Sequence, residues 1–281
     1  MPAPDFVVAG HAVRDIVPGG WRLGGTVTFA AVQAERLGRS VGIVTRAGDD
    51  LDLSALSFAE MARVPTASTT SFENLYEAGG RRQHVHAQAD AMTTSDVPVS
   101  WLDAAIVLIG PVLGEVPPGF AAAFAESSLV AVSAQGWLRA LDPNGNVIRA
   151  PWTGEPFWRG ADVVFVSDED LADGRDELDA WTRDVPVVAM TRSHKGAHVF
   201  AEGRWREMAA FPEAEVDPTG AGDTFATAFL IRLHETGDAG EAARFAAAAA
   251  SLSVGGIGAA AMPVRAEIEE RMRQHPEVAL R

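Results

Sequence analysis

The stretch VDPTGAGDTF, from Val216 to Phe225, sets three small residues directly ahead of the carboxylate of Asp223. Pro218 lacks an N–H and restricts Asp217 before it, so this pair suits a helix boundary, with Thr219 placed to cap the helix behind it. The first amides of such a helix have no internal partners, and its dipole adds partial positive charge there. With Gly220, Ala221 and Gly222 at that end, an anion can reach bare amides without a lysine. Asp223 then has two readings. As a first-turn acid it only complements the dipole, which leaves two poor helix formers beside it unexplained. As a base beside a phosphate cradle it accepts a hydroxyl proton while the amides neutralise a moving phosphoryl group.

The elements that must position this motif are legible as alternating patterns. Short apolar runs recur at 6–10, 41–48, 105–110, 129–136, 162–167 and 185–190, several of them continuous as in strands covered on both faces. Between them lie helical patterns: 26–38 is apolar at Val27, Ala30, Ala31, Ala34 and Leu37, with Gly38 where a C-terminal cap belongs. Two further helices are expected at about 223–236 and 239–254. Strand and helix in alternation give an α/β fold, a mostly parallel sheet with helices on both faces. Residues 66–90 break the rhythm by alternating β-formers with polar residues and turning at Gly79-Gly80. This reads as a small β-hairpin inserted in a single domain spanning 1–281. It is either a plain surface hairpin or, given Arg81, Arg82 and Gln83, a lid.

Composition narrows the partners. A net charge of −15 argues against nucleic acid, whose phosphates need clustered Lys and Arg. No cysteine occurs, which removes disulfides, thiolate metal sites and Cys nucleophiles and fits a reducing compartment. The apolar run before His11 is too short for a signal peptide. Phe245–Val264 carries no charge but is interrupted by Gly255, Gly256 and Pro263, so a buried helix ending at the glycine pair is expected rather than a membrane span. A cytoplasmic protein without membrane contact follows.

D-P-T-G-A-G-D-T-F resembles the C-terminal signature of the ribokinase-like (pfkB) carbohydrate kinase family, D-T-x-G-A-G-D, with Pro218 for the usual Thr. The resemblance implies a three-layer ribokinase-like fold with a small β lid. It also implies ATP and Mg²⁺ as cofactors, an anion hole at Gly220, Ala221 and Gly222, and Asp223 as catalytic base. FVVAGHAVRD resembles the family's opening strand, which makes Asp15 a ligand for substrate hydroxyls. Gly24-Gly25 is similar to the N-terminal Gly-Gly signature that lines the sugar site and hinges the lid. The G-G-K-G-x-N form is replaced from Thr26 onward, a departure from ribose kinases. VFVSDED places Ser167 and Asp170 at the Asn and Glu of N-x-x-E, with Asp168 beside them; the carboxylates of Asp168 and Asp170 suit Mg²⁺, although an acidic helix start explains them almost as well. TRSHKG resembles the nucleotide-contacting T-x-G-x-x-G, through Thr191, Ser193 (for the first Gly) and Gly196.

The segments 24–38, 69–83, 110–117 and 134–139 together are similar to the branch that includes myo-inositol kinases. On that likeness the substrate is a small sugar or cyclic polyol, met by Asp15, Gly24, Gly25, Thr26, Asn74, Gln83, Glu115 and Arg139. A nucleoside or another sugar as acceptor, or a sugar- or nucleotide-sensing binder that has lost catalysis, are the competing readings. The acceptor's phosphorylated hydroxyl, the nucleotide preference, a monovalent cation near Asp217 as in some relatives, and a monomer versus a homodimer through the lid stay open.

Overall fold

The computed structural model describes residues 2–77, 80–171 and 176–281; Gly79 of the expected hairpin turn and the Arg81 side chain lie outside this description. A nine-stranded sheet forms the centre. Its strands are β1 (Phe6–Ala9), β4 (Val41–Ala47), β5 (Glu60–Pro65), β8 (Ile106–Ile109), β9 (Leu129–Ser133), β12 (Val163–Ser167), β13 (Val187–Thr191), β14 (Ala197–Ala201) and β15 (Arg204–Met208). They lie in the order β5-β4-β1-β8-β9-β12-β13-β14-β15. All neighbours from β5 to β13 are parallel, while β14 is antiparallel to both β13 and β15.

The apolar runs are continuous because both faces are covered. In β1, Phe6 and Val8 enter one core with helices α1 (Thr26–Arg36), α3 (Ala221–Thr236), α4 (Ala239–Ser253) and α5 (Arg265–Gln274), while Val7 and Ala9 enter a second core on the opposite face. That two-residue alternation is the pleat itself. The second core also holds Leu178 and Trp181 of α2 (Asp176–Asp184). At the end of α1, Gly38 at φ 81° donates to Glu35 C=O at 2.8 Å and Arg39 to Ala34 C=O at 3.0 Å. This double closure is what the expected glycine cap supplies. No helix among the described residues is long and apolar enough to cross a membrane. The uncharged run 245–264 divides into the end of α4 and a loop.

The lid differs from the expected hairpin. The hairpin is β6 (Ser71–Glu77) with β7 (Gly80–Ala87), and it is half of a four-stranded sheet ordered β3-β2-β6-β7. The other half is a second hairpin, β2 (Val13–Val17) and β3 (Gly20–Gly24). An isolated two-stranded hairpin is marginal in water, so the distant pair completes it. A further small hairpin, β10 (Arg139–Leu141) with β11 (Val147–Arg149), was absent from the sequence reading.

Candidate active site

The strand order reverses beside β1: the chain adds β4 and β5 on one side, then β8 and β9 on the other. Open parallel sheets bind ligands at the carboxyl ends of strands flanking such a reversal. Three segments meet there: the loop after β3, the residues following β8, and the head of α3.

The head of α3 is set by packing and by backbone shape. Phe225 and Phe229 are buried against Phe165 of β12, with ring centroids 6.4 and 5.5 Å away. Each buried ring contributes about 2–3 kcal/mol. The N-cap is Gly220 in the left-handed region (φ 83°, ψ 0°), with no side-chain cap. Thr219, the expected cap, instead donates its amide to Asp217 Oδ1 at 3.0 Å. A glycine is required at 220 twice over, since its φ is positive and a Cβ would enter the Phe29 ring of α1. At Gly222 a Cβ would meet nothing, so that position opens onto free space in front of the helix. Ala221 N–H bonds Pro218 C=O at 3.2 Å and Thr224 N–H reaches Gly220 C=O at 2.8 Å, and no side chain competes for the amides between them.

Asp223 stands at the floor of this opening. Its side chain is partly accessible yet surrounded by protein, as at the bottom of a cleft. Burial pushes its carboxyl up to about 6, opposed by a hydrogen bond from Thr26 and the nearby Arg139 guanidinium, and reinforced by Asp170. These side chains come from four separate segments. Thr26, the first residue of α1, is buried, and a Cβ on Gly110 at the end of β8 would clash with it. Expected among the substrate contacts, it also lies beside the Asp223 carboxyl, whose pKa its hydroxyl lowers by hydrogen bonding. Arg139 Nη2 lies 3.5 Å from Asp170 Oδ1, both largely buried, and Gln135 Nε2 is 3.5 Å from Asp170 Oδ2.

The remaining expected residues divide into two groups. Asp15 on β2 lies against Gly24, where a Cβ would collide with its carboxylate. Gly25 at φ 83° abuts the His11 C=O. Asn74 and Gln83 are direct partners across β6 and β7. Glu115 does not join them. It is 1% exposed, and its carboxylate accepts from the amides of Val112 (2.9 Å), Leu113 (2.8 Å) and His11 (3.1 Å). Three backbone donors leave a buried carboxylate little capacity for a substrate, so Glu115 is a clamp on the loop after β8. On the far side, Ser167 ends β12, and Thr191 pairs with it at the end of β13. Ser193 adopts φ 50°, a left-handed shape that favours glycine, and Gly196 at φ 90° packs against Met208 C=O. Asp168 is half-buried, with its amide on Thr191 C=O at 3.0 Å.

Among the described residues no three His, Cys, Asp or Glu side chains gather to hold a metal. Asp168 and Asp170 offer hard carboxylate oxygens of the kind that hold Mg²⁺ together with substrate phosphates and waters.

Residues 152–266 match the model of the pfkB family carbohydrate kinases. The chain is 28% identical over 255 residues to the cytidine kinase of Thermococcus kodakarensis, covering 80% of this chain and 87% of that one. Among solved structures it resembles a pyrophosphate-dependent kinase in the ribokinase family, complexed with a pyrophosphate analog and myo-inositol. The TM-score is 0.77 and the identity 25%, over 95% of this chain and 99% of the other. Arabidopsis thaliana ribokinase complexed with ribose and ATP superposes with a TM-score of 0.73 at 22% identity, over 96% and 99% of the two chains.

Proposed function

We propose that the chain, a phosphotransferase with an alcohol group as acceptor whose residues 152–266 match the pfkB family carbohydrate kinases, moves the terminal phosphoryl group of ATP to a hydroxyl of a small cyclic polyol or sugar, a myo-inositol-like ring first. One observation carries the reading: Thr26, Arg139 and Asp170, from three distant segments, converge on Asp223 at the uncapped head of α3.

In the proposed reaction the acceptor oxygen gives its proton to the Asp223 carboxylate as it bonds the terminal phosphorus. The bond from that phosphorus to the bridging oxygen breaks, and the nucleoside diphosphate leaves with the electron pair. The amides of Gly220 and Gly222 receive the transferring oxygens, Ala221 shapes the turn between them through its bond to Pro218 C=O, and Arg139 neutralises the charge from the side. Thr26 holds the base in line. Asp15, Gly24, Gly25, Asn74 and Gln83 fit the acceptor's hydroxyls. Asp168 and Asp170 would hold Mg²⁺ together with the phosphates, and the ion would supply further charge neutralisation. A pKa of about 6 leaves the base mostly ionised at neutral pH yet basic enough to take a proton.

Two features bear on the donor. Val216 (60% exposed) lies four residues before Gly220, and its N–H bonds Val254 C=O at 2.8 Å, which brings the segment carrying Ile257 (56% exposed) to the chain ahead of the anion hole. Exposed apolar side chains on these joined segments suit the face of a nucleobase and favour ATP. The turn 191–196 carries the exposed Lys195, beside Arg192, which is paired with Glu207 at 3.6 Å; a cation there favours the second reading, a bare pyrophosphate donor. A nucleoside in place of the polyol is the alternative acceptor. The test offers Mg-ATP or Mg-pyrophosphate with a panel of polyols, sugars and nucleosides and reads phosphoryl gain by mass spectrometry. A cyclic polyol phosphate formed from ATP is expected; no phosphorylated acceptor with either donor would overturn the reading.

A further inference from the structure

The hairpin β10–β11 touches both sides of the cleft. At its foot, Arg139 opens β10 and reaches Asp170, while its cross-strand partner Arg149 donates from Nη1 to Glu169 C=O at 3.3 Å. At its tip the turn 142–146 meets the lid. Val85 N–H of β7 donates to Gly145 C=O at 2.9 Å, and His84 and Asn146 form an antiparallel bridge. Their side chains approach at 3.4 Å between His84 Nδ1 and Asn146 Oδ1. Beside the tip, Val147 packs with Val13, Phe72 and Val85 of the lid and with Val112 and Leu113 of the loop after β8 into a small core.

The turn is stiff. Asp142 Oδ1 accepts from the amides of Asn144 and Asn146, each at 2.8 Å, and Oδ2 accepts Asn146 Nδ2 at 2.9 Å. Gly145 completes it at φ 81°. Between foot and tip the hairpin has little lateral support, since Leu141 and Ile148 remain 41% and 46% exposed. A two-stranded hairpin of this length has marginal stability of its own, so its two ends determine where it lies.

We propose that this hairpin is a strut that makes lid position and Arg139 placement a single movement, with Asp142 as the positioning residue that keeps it rigid. The inference rests on the reading of Arg139 as a contact to the transferring phosphoryl group. Gln83, the neighbour of the clipped His84, meets the acceptor in that reading. The strut therefore aligns the acceptor side with the cationic side of the cleft before transfer. Displacing a catalytic group by about 1 Å can cost ~10²-fold in rate, so loosening a turn remote from the chemistry registers in turnover.

The test compares Asp142→Ala, Asp142→Asn and Asn146→Ala with the wild-type chain, alone and combined with Arg139→Ala. Thermal melts select the variants that fold, and Asn146→Ala serves if Asp142→Ala does not. We expect Asp142→Ala to lower kcat about tenfold with donor Kd unchanged. Asp142→Asn keeps an oxygen for both amides and recovers most of the loss. In the Arg139→Ala background, the Asp142→Ala loss disappears, because the strut then carries nothing. Wild-type kcat in the folded hairpin variants, or an equal loss in the Arg139→Ala background, overturns the strut while leaving the kinase reading intact. A wild-type chain that phosphorylates no acceptor overturns both.

Discussion

The two halves of the cleft use glycine differently. On the acceptor and base side, Gly24, Gly25, Gly110 and Gly220 each sit where a Cβ would enter a neighbour: the Asp15 carboxylate, the His11 C=O, Thr26 and Phe29. Their role is contact, because each brings a functional or supporting group against the backbone. On the donor side the turn 191–196 keeps a left-handed residue at 193, but serine occupies it, and Ser167 and Asp170 stand where the family pattern has Asn and Glu. Gly196 in the same turn does make such a contact, since a Cβ on it would enter Met208 C=O. The donor side is thus held by contact at 196 and by backbone shape at 193, where a serine suffices, while the acceptor side is held by contact throughout.

Substitutions can break this contrast. The largest effect belongs to Asp223→Asn, which keeps the volume and removes the proton acceptor: turnover should fall by ~10²–10⁴, with ATP still bound in a calorimetric titration. Next is Gly24→Ala, whose methyl must displace the Asp15 carboxylate. Overpacking of this kind costs about 1–3 kcal/mol, and it should appear as a raised acceptor KM with donor KM unchanged. A normal acceptor KM in this variant would remove Asp15 from the acceptor site. Smallest is Ser193→Gly. It relieves a left-handed serine but adds unfolded-state freedom, so stability should change by no more than ~0.5 kcal/mol, and donor KM should hold. A large change in donor KM would show that the Ser193 side chain, and not the turn's shape, meets the donor.

The residues proposed for the acceptor half could be named from sequence because they lie in short motifs with fixed spacing. The strand runs and the helices at 221–236 and 239–253 follow from apolar period and glycine stops. What sequence could not give was contact between distant segments. Thr26 was read as a substrate ligand, and nothing local to residue 26 indicates that it faces Asp223. Glu115 reads as an available carboxylate, yet folding brings three backbone amides onto it. The strands Val13–Val17 and Gly20–Gly24 are too short and polar to announce themselves as half of the lid. The β10–β11 hairpin did have a local signal: Asp142-Pro-Asn-Gly-Asn146 combines an Asx turn with an Asn-Gly pair, a strong short-range hairpin cue. The strands on either side are only three residues long, too short to show the two-residue alternation that marks a strand.

The central claim is that Asp223 is the base, with its carboxyl raised by burial at the head of α3. A base must be ionised to accept a proton, and kcat/KM reports the free enzyme. The acid limb of kcat/KM against pH should therefore rise through about 6 and level off above it. A profile that is flat from pH 5 to 8, or an acid limb near the ordinary aspartate range, contradicts the account.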